Sequence, residues 1–259
     1  MTEKYLDGAD PLFLKGKEHG LLLLHGAGGG TAWDLKEFAT NAHNRGFTIW
    51  LPSLPGFGTD PMDLIDITLN DWLSAVSEGV AYLRDNCSSV SIVGHSIGGL
   101  LALLTTAQDH TITSVVCWAT PWNVKSRLLS FLPLIKAIPG LRSRIPERHP
   151  VNIPAQLRDM GWVGYDWIPL SLGLVVLDGL KRLHTLISKV QCPVFVIQGS
   201  KDEAITSNSA QKLFNNLKNP NKELWIIEGG IHPLMQDFCK EELFERSLNF
   251  LEEKTKLET

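Results

Sequence analysis

The chain has 259 residues, with 24 basic and 28 acidic side chains giving a net charge of −4. About 44% of its residues are hydrophobic and 20% charged, a globular composition that excludes collagen, coiled coil and disorder. The length suits one large α/β domain with an insertion, or two small domains; the slightly acidic balance gives no reason to expect nucleic acid, and no apolar run approaches the roughly 18 residues of a membrane span.

The first residues, Met1 to Gly8, lack the apolar core of a secretory signal. Cys87, Cys117, Cys192 and Cys239 lie far apart without a CxxC spacing. Together these features predict a cytoplasmic protein with reduced, mostly buried thiols. No spacing of His, Cys and Asp matches a metal motif, so neither a metal nor a cofactor is expected.

In chain order, the first buried strand is the apolar run at 21–24, followed by a Gly-rich loop. Thr31 then caps a helix reaching Arg45, and Gly46 stops it. A strand is expected over 47–51. An amphipathic helix over 70–85 carries Trp72, Leu73, Val76, Val80 and Leu83 on one side. The strand 90–93 leads through a tight turn into a helix over 100–106, and 115–118 is the next strand. Strands at 193–197 and 224–227 alternate with helices at 207–217 and 240–253. Several of these strands are apolar without alternation, as strands covered on both faces are. The pattern predicts an α/β fold with a mostly parallel, doubly wound sheet.

The alternation fails between residues 121 and 189. That stretch holds Pro133, Pro139, Pro146, Pro150, Pro154 and Pro169 and no good buried strand. It reads as a largely helical insertion above the sheet, because ordinary connections are shorter. The core is then 1–120 and 190–259, and the cap 121–189.

Gly94-His95-Ser96-Ile97-Gly98-Gly99 follows a strand and opens a helix. A GxSxG sequence in that context is a nucleophile elbow: the glycines permit a tight turn, Ser96 is held exposed, and the helix amino end faces developing negative charge. A serine hydroxyl needs a base. Of the eight histidines, His232 follows the last strand in a Gly-rich loop at the carboxyl edge, where a doubly wound sheet places functional residues. His19 and His43 are expected in surface turns or helices. His25 is expected to order its loop through hydrogen bonds, and His95 to face away from the reacting centre. An acid must fix the tautomer of the base. Asp202, in the turn after the strand 193–197, supplies it; its neighbour Glu203 is the rival, and Asp237 is expected to be a cap or loop anchor. The chain order is then Ser, Asp, His. The loop Gly26-Ala27-Gly28-Gly29-Gly30 lies beside the elbow in this architecture, which nominates the backbone amides of Ala27 and Ile97 as an oxyanion hole. A phosphate loop is excluded, since no Gly-Lys-Ser/Thr follows and the dinucleotide glycine spacing is incomplete.

Taken in this order, HGxGG, GHSIGG, GSKDE and GxH resemble the α/β-hydrolase superfamily. Within it, the likeness is to bacterial carboxylesterases and monoacylglycerol lipases. It extends to Leu54-Pro55-Gly56-Phe57-Gly58-Thr59-Asp60-Pro61, Asn70-Asp71-Trp72 and His232-Pro233-Leu234-Met235-Gln236-Asp237. The resemblance implies an α/β-hydrolase fold with a helical cap. It also implies hydrolysis of short- to medium-chain acyl esters or monoacylglycerols by Ser96, Asp202 and His232, with Ala27 and Ile97 as donors. Where many members carry an aromatic residue, this chain has Ala27. Lactone, thioester or amide hydrolysis fits the same three residues; a receptor that binds without turnover is the alternative of another class.

Residues 122–148 carry Lys125, Arg127, Lys136, Arg142, Arg144 and Arg148 against Glu147, interleaved with bulky apolar side chains. Two readings fit. In one the basic side is simply solvated; in the other it lines the entrance for a lipid-like ester or touches an anionic membrane surface.

Overall fold

Successive side chains of a strand point to opposite faces, so the four leucines at 21–24 demand that both faces be covered. In the computed structural model, which describes residues 4–123, 125, 148–153 and 155–255, they belong to β2 (His19–Leu24), buried throughout. Leu22 and Leu24 join one apolar cluster with Trp72, Val76 and Val80. Leu21 and Leu23 join a second, with Phe38, Phe244 and Leu248. Each leucine so buried contributes roughly 1.5–3 kcal/mol.

Around β2 run β1 (Leu12–Leu14), β3 (Thr48–Leu51), β4 (Ser89–His95), β5 (Val115–Trp118), β8 (Val194–Gly199) and β9 (Lys222–Ile227). The sheet order is β1-β3-β2-β4-β5-β8-β9, with every pairing parallel except that of β1 with β3. From β2 the chain goes out to β3 on one side and returns to β4 on the other. The loops leaving β2 and β4 therefore diverge and open a crevice at the carboxyl edge, where open α/β sheets bind their ligands.

Helices cover the sheet. A 3-10 turn, Ala32–Leu35, capped by the Thr31 hydroxyl, precedes α1 (Lys36–Asn44). The helix α2 (Leu69–Arg84) begins in a reciprocal capping box between Thr68 and Asp71 and buries Trp72, Val76, Val80 and Leu83. Every residue of α3 (Ile97–Thr106) is buried, because a helix apolar all round must be enclosed. The remaining described α-helices are α4 (Ala155–Asp159), α5 (Leu172–Leu186), α6 (Ser209–Asn216) and α7 (Lys240–Thr255). Gly179 lets α5 lie close on α3: a Cβ there would come within 2.8 Å of Leu100. Among the described residues no helix is long and apolar enough to cross a membrane.

The structure adds to the sequence expectations in two places. β1 has only three half-buried residues, too few to show a period. The stretch 121–189, expected to be largely helical, holds α4 and α5 but also an antiparallel pair, β6 (Arg148–Pro150) with β7 (Trp167–Pro169). β6 is fully exposed and proline-ended, so it carries no buried-strand signal.

Candidate active site

Ser96 stands between β4 and α3. Its amide donates to the Trp118 carbonyl at 2.8 Å, and the chain reverses through φ 53°, ψ −115°. A residue bearing a side chain holds such a positive φ at a cost of about 1–3 kcal/mol. The two flanking glycines permit the reversal: a Cβ on Gly94 would strike the backbone of Gly98, and one on Gly98 would strike the Leu24 carbonyl. The amino end of α3 has no side-chain cap. The Gly99 amide turns back to the Ser96 carbonyl at 3.1 Å, whereas the amides of the first two helical positions, Ile97 and Gly98, have no acceptor one turn back and suit an anion.

The loops after β8 and β9 bring in Asp202 and His232. Gly199 and Gly230 touch backbone to backbone, which sets the two loops side by side. Asp202 Oδ1 accepts the amides of Ala204 (2.9 Å) and Ile205 (3.1 Å). Its Oδ2 lies 2.7 Å from His232 Nδ1. A carboxylate only accepts, so the network assigns the proton to Nδ1 and leaves the lone pair on Nε2. That nitrogen is 3.1 Å from Ser96 Oγ. The Asp202 side chain is fully buried, whereas His232 keeps 21% of its surface. Glu203, the rival acid, is exposed. Asp237 is a loop anchor, accepting the Ile231 amide at 2.8 Å.

The loop after β2 abuts the elbow, since a Cβ on Gly26 would stand 3.3 Å from Ser96 Cβ. Ala27 follows directly. His25 accepts the Leu54 amide at Nε2 (3.0 Å), so its Nδ1–H donates to the Gly26 carbonyl (2.8 Å). That carbonyl and the Ala27 N–H are the two ends of one peptide plane. The imidazole therefore fixes the direction in which the Ala27 N–H points. Ala27 and Ile97 belong to an apolar cluster with Leu54, Phe57, Tyr165 and Leu172, so one flank of Ser96 is oily.

Two histidines are not where the sequence put them. His95 was expected to face away; instead its Nε2–H donates to the His232 carbonyl at 3.1 Å, with ring centroids 5.0 Å apart. The reason is that the loop after β9 folds back over the end of β4. His19 was expected at the surface but is buried on β2, bonded to Ser89 and Ser91. Its strand neighbours supply the hydroxyl partners that make burial tolerable. Of the basic residues in 122–148, Lys125 is exposed and Arg148 stacks 4.4 Å above the Trp167 ring. Arg127, Lys136, Arg142 and Arg144 lie outside the described residues.

Among the groups whose titration burial shifts are three histidines and one aspartate. Burial lowers His19 to about 4 and His25 to about 4. Burial, aided by the neighbouring His232, lowers His95 to about 3. It raises Asp34, whose carboxyl accepts the Trp162 indole N–H at 2.9 Å, to about 7. The three histidines bind protons below about 6.5 only when unfolded, so the stability they allow above that pH is lost as the pH falls toward 4. Asp34 works in the opposite sense, stabilising below its unfolded value near 4 and ceasing to do so as the pH rises through 7. Three protons against one leave about two taken up on unfolding, or roughly 3 kcal/mol lost per pH unit between about 6.5 and 4. Urea midpoints should therefore drop steeply from pH 7 to pH 5; a flat or rising midpoint would contradict the burial of these histidines.

A serine on a strand-to-helix elbow, with a histidine and an aspartate delivered by later strands of a parallel sheet, defines the α/β-hydrolase class. The model of the alpha/beta hydrolase family matches residues 21–246, and the chain belongs to that family. It is 27% identical over 254 residues to the thermostable monoacylglycerol lipase of Bacillus sp. (strain H-257), covering 96% of this chain and 98% of that protein. It is 25% identical over 244 residues to a carboxylesterase of Bacillus subtilis (strain 168), covering 93% and 96%. Among solved structures, one described under LipS and LipT, two metagenome-derived lipolytic enzymes, superposes with a TM-score of 0.87 at 24% identity, covering 96% of this chain and all of that one. The monoacylglycerol lipase of Paleococcus ferrophilus superposes with a TM-score of 0.79 at 19% identity, covering 94% and 98%. These structural likenesses concern the fold.

Proposed function

We propose that the protein is a serine hydrolase that cleaves carboxylic esters through an acyl-enzyme. The observation that carries this reading is the unbroken chain Ser96 Oγ, His232, Asp202, with spacings of 3.1 and 2.7 Å. Ser96 Oγ attacks the ester carbonyl while its proton passes to His232 Nε2. The amides of Ala27 and Ile97 receive the oxyanion; one such donor is worth roughly 10²–10³ in rate. Asp202, anchored by the Ala204 and Ile205 amides, orients the imidazole and stabilises the imidazolium. His232 then returns the proton to the departing alcohol. Water, deprotonated by the same nitrogen, releases the acid and regenerates Ser96.

Ester hydrolysis is favoured over lactone, thioester or amide cleavage by the relatives, named monoacylglycerol lipase and carboxylesterase, and by the apolar flank beside Ser96. From the stretch 121–189, Tyr165 and Leu172 belong to that apolar flank, and short- to medium-chain acyl groups suit it. The test is a set of p-nitrophenyl esters and monoacylglycerols of increasing chain length. Burst release of p-nitrophenol at one equivalent per chain, followed by steady turnover, is the expected result. A protein that binds these esters without releasing alcohol would be a receptor, and the reading would fail.

A further inference from the structure

The mechanism uses neither Asp34 nor the stretch between α4 and β7, yet the two meet at the oxyanion loop. Trp162 Nε1–H donates to Asp34 Oδ1 at 2.9 Å. The Thr31 amide donates to the same carboxylate. The Thr31 hydroxyl donates to the Val163 carbonyl at 2.7 Å, and the Tyr165 amide donates to the Gly29 carbonyl at 2.9 Å. The two backbones are pressed together: a Cβ on Gly164 would strike the Gly29 carbonyl, one on Gly29 the Tyr165 carbonyl, and one on Gly30 the Asp34 carboxylate. The far end of this segment is also tied down, since the Tyr165 hydroxyl donates to the Gly56 carbonyl (3.0 Å) and accepts the Thr59 amide (2.9 Å). His25 holds only the near side of the Ala27 peptide. Beyond it lie Gly28, Gly29 and Gly30, which have no side chains of their own to hold a conformation.

We propose that Asp34 and Trp162 are positioning residues of the oxyanion hole: they clamp the insertion onto Gly28–Thr31 and thereby hold the Ala27 amide where the oxyanion forms. This rests on the esterase reading above. A displaced donor affects the charge that appears in the transition state more than the neutral ester in the ground state. Loosening the clamp therefore lowers kcat and spares KM.

The test compares Trp162→Phe, which keeps the ring bulk without the N–H, with Asp34→Ala and Asp34→Asn. Each is measured on p-nitrophenyl butyrate and with an alkyl trifluoromethyl ketone, whose adduct with Ser96 carries the oxyanion. Wild-type turnover and ketone inhibition come first, and their absence would reject the esterase reading itself. Given them, Trp162→Phe and Asp34→Ala should lower kcat about 10- to 100-fold, the scale of a misplaced catalytic group, with KM changed less than about threefold. The ketone Ki should rise in the same ratio as kcat/KM falls. Asp34→Asn keeps an acceptor for the indole and should recover most of the kcat lost in Asp34→Ala. If Asp34→Ala does not fold, Trp162→Phe decides alone. Unchanged kcat, or a lowered melting temperature with the ketone Ki unmoved, would overturn the clamp.

Discussion

Replacing Ser96 by alanine is expected to reduce ester hydrolysis by about 10⁶-fold in kcat, roughly 8 kcal/mol of barrier, as when a nucleophile is removed from a complete triad. The change deletes the Ser96 hydroxyl and its hydrogen bond to His232 Nε2, and nothing else. The backbone at this position has φ 53°, and alanine bears the same Cβ as serine, so the elbow is no more strained than before. Far-UV spectra and the melting temperature should match the wild type. The residual rate would come from the Ala27 and Ile97 amides acting on bound ester and water. Turnover of p-nitrophenyl butyrate within tenfold of wild type would remove Ser96 from the mechanism.

Asp202→Asn is expected to cost about 10⁴-fold, roughly 5 kcal/mol. The asparagine oxygen can keep the Ala204 and Ile205 amides. Its NH₂ then faces His232 Nδ1 and must donate to it. That moves the imidazole proton to Nε2, against Ser96 Oγ, where a lone pair is required. The variant is therefore folded and holds the wrong tautomer. Glu203→Gln, one position along and exposed, should retain activity within about threefold, surface changes away from a site being nearly neutral. A reversal of these two outcomes would move the acid to Glu203.

The elbow was legible because its geometry admits so few residues: glycine at 94 and 98 is demanded by backbone contacts that the sequence shows as a motif. The order Ser96, Asp202, His232 was legible because each follows an apolar run that reads as a strand. The direction of His95 was not. Strand alternation alone predicts a side chain turned away from the reacting centre, whereas the return of the loop after β9 sets the carbonyl and ring of His232 beside it. Nor was the Asp34–Trp162 contact, whose partners stand 128 positions apart. No local period or turn residue connects them. β1, with three residues, and the exposed β6 fall below the length and burial at which a strand leaves a pattern.

The spacing along the chain also determines how such a site can come into being. Ser96 and His232 are separated by 136 positions, and β5 and β8 must both lie in the sheet between β4 and β9 before the two side chains meet. Parallel pairings of this sequence separation are slow to form, because chain entropy is spent before the contacts reward it. During refolding from denaturant, helix signal should return well before the capacity to hydrolyse an ester. The rate of ester hydrolysis is then expected to be a clock for the docking of β9, the last in chain order of the described sheet strands.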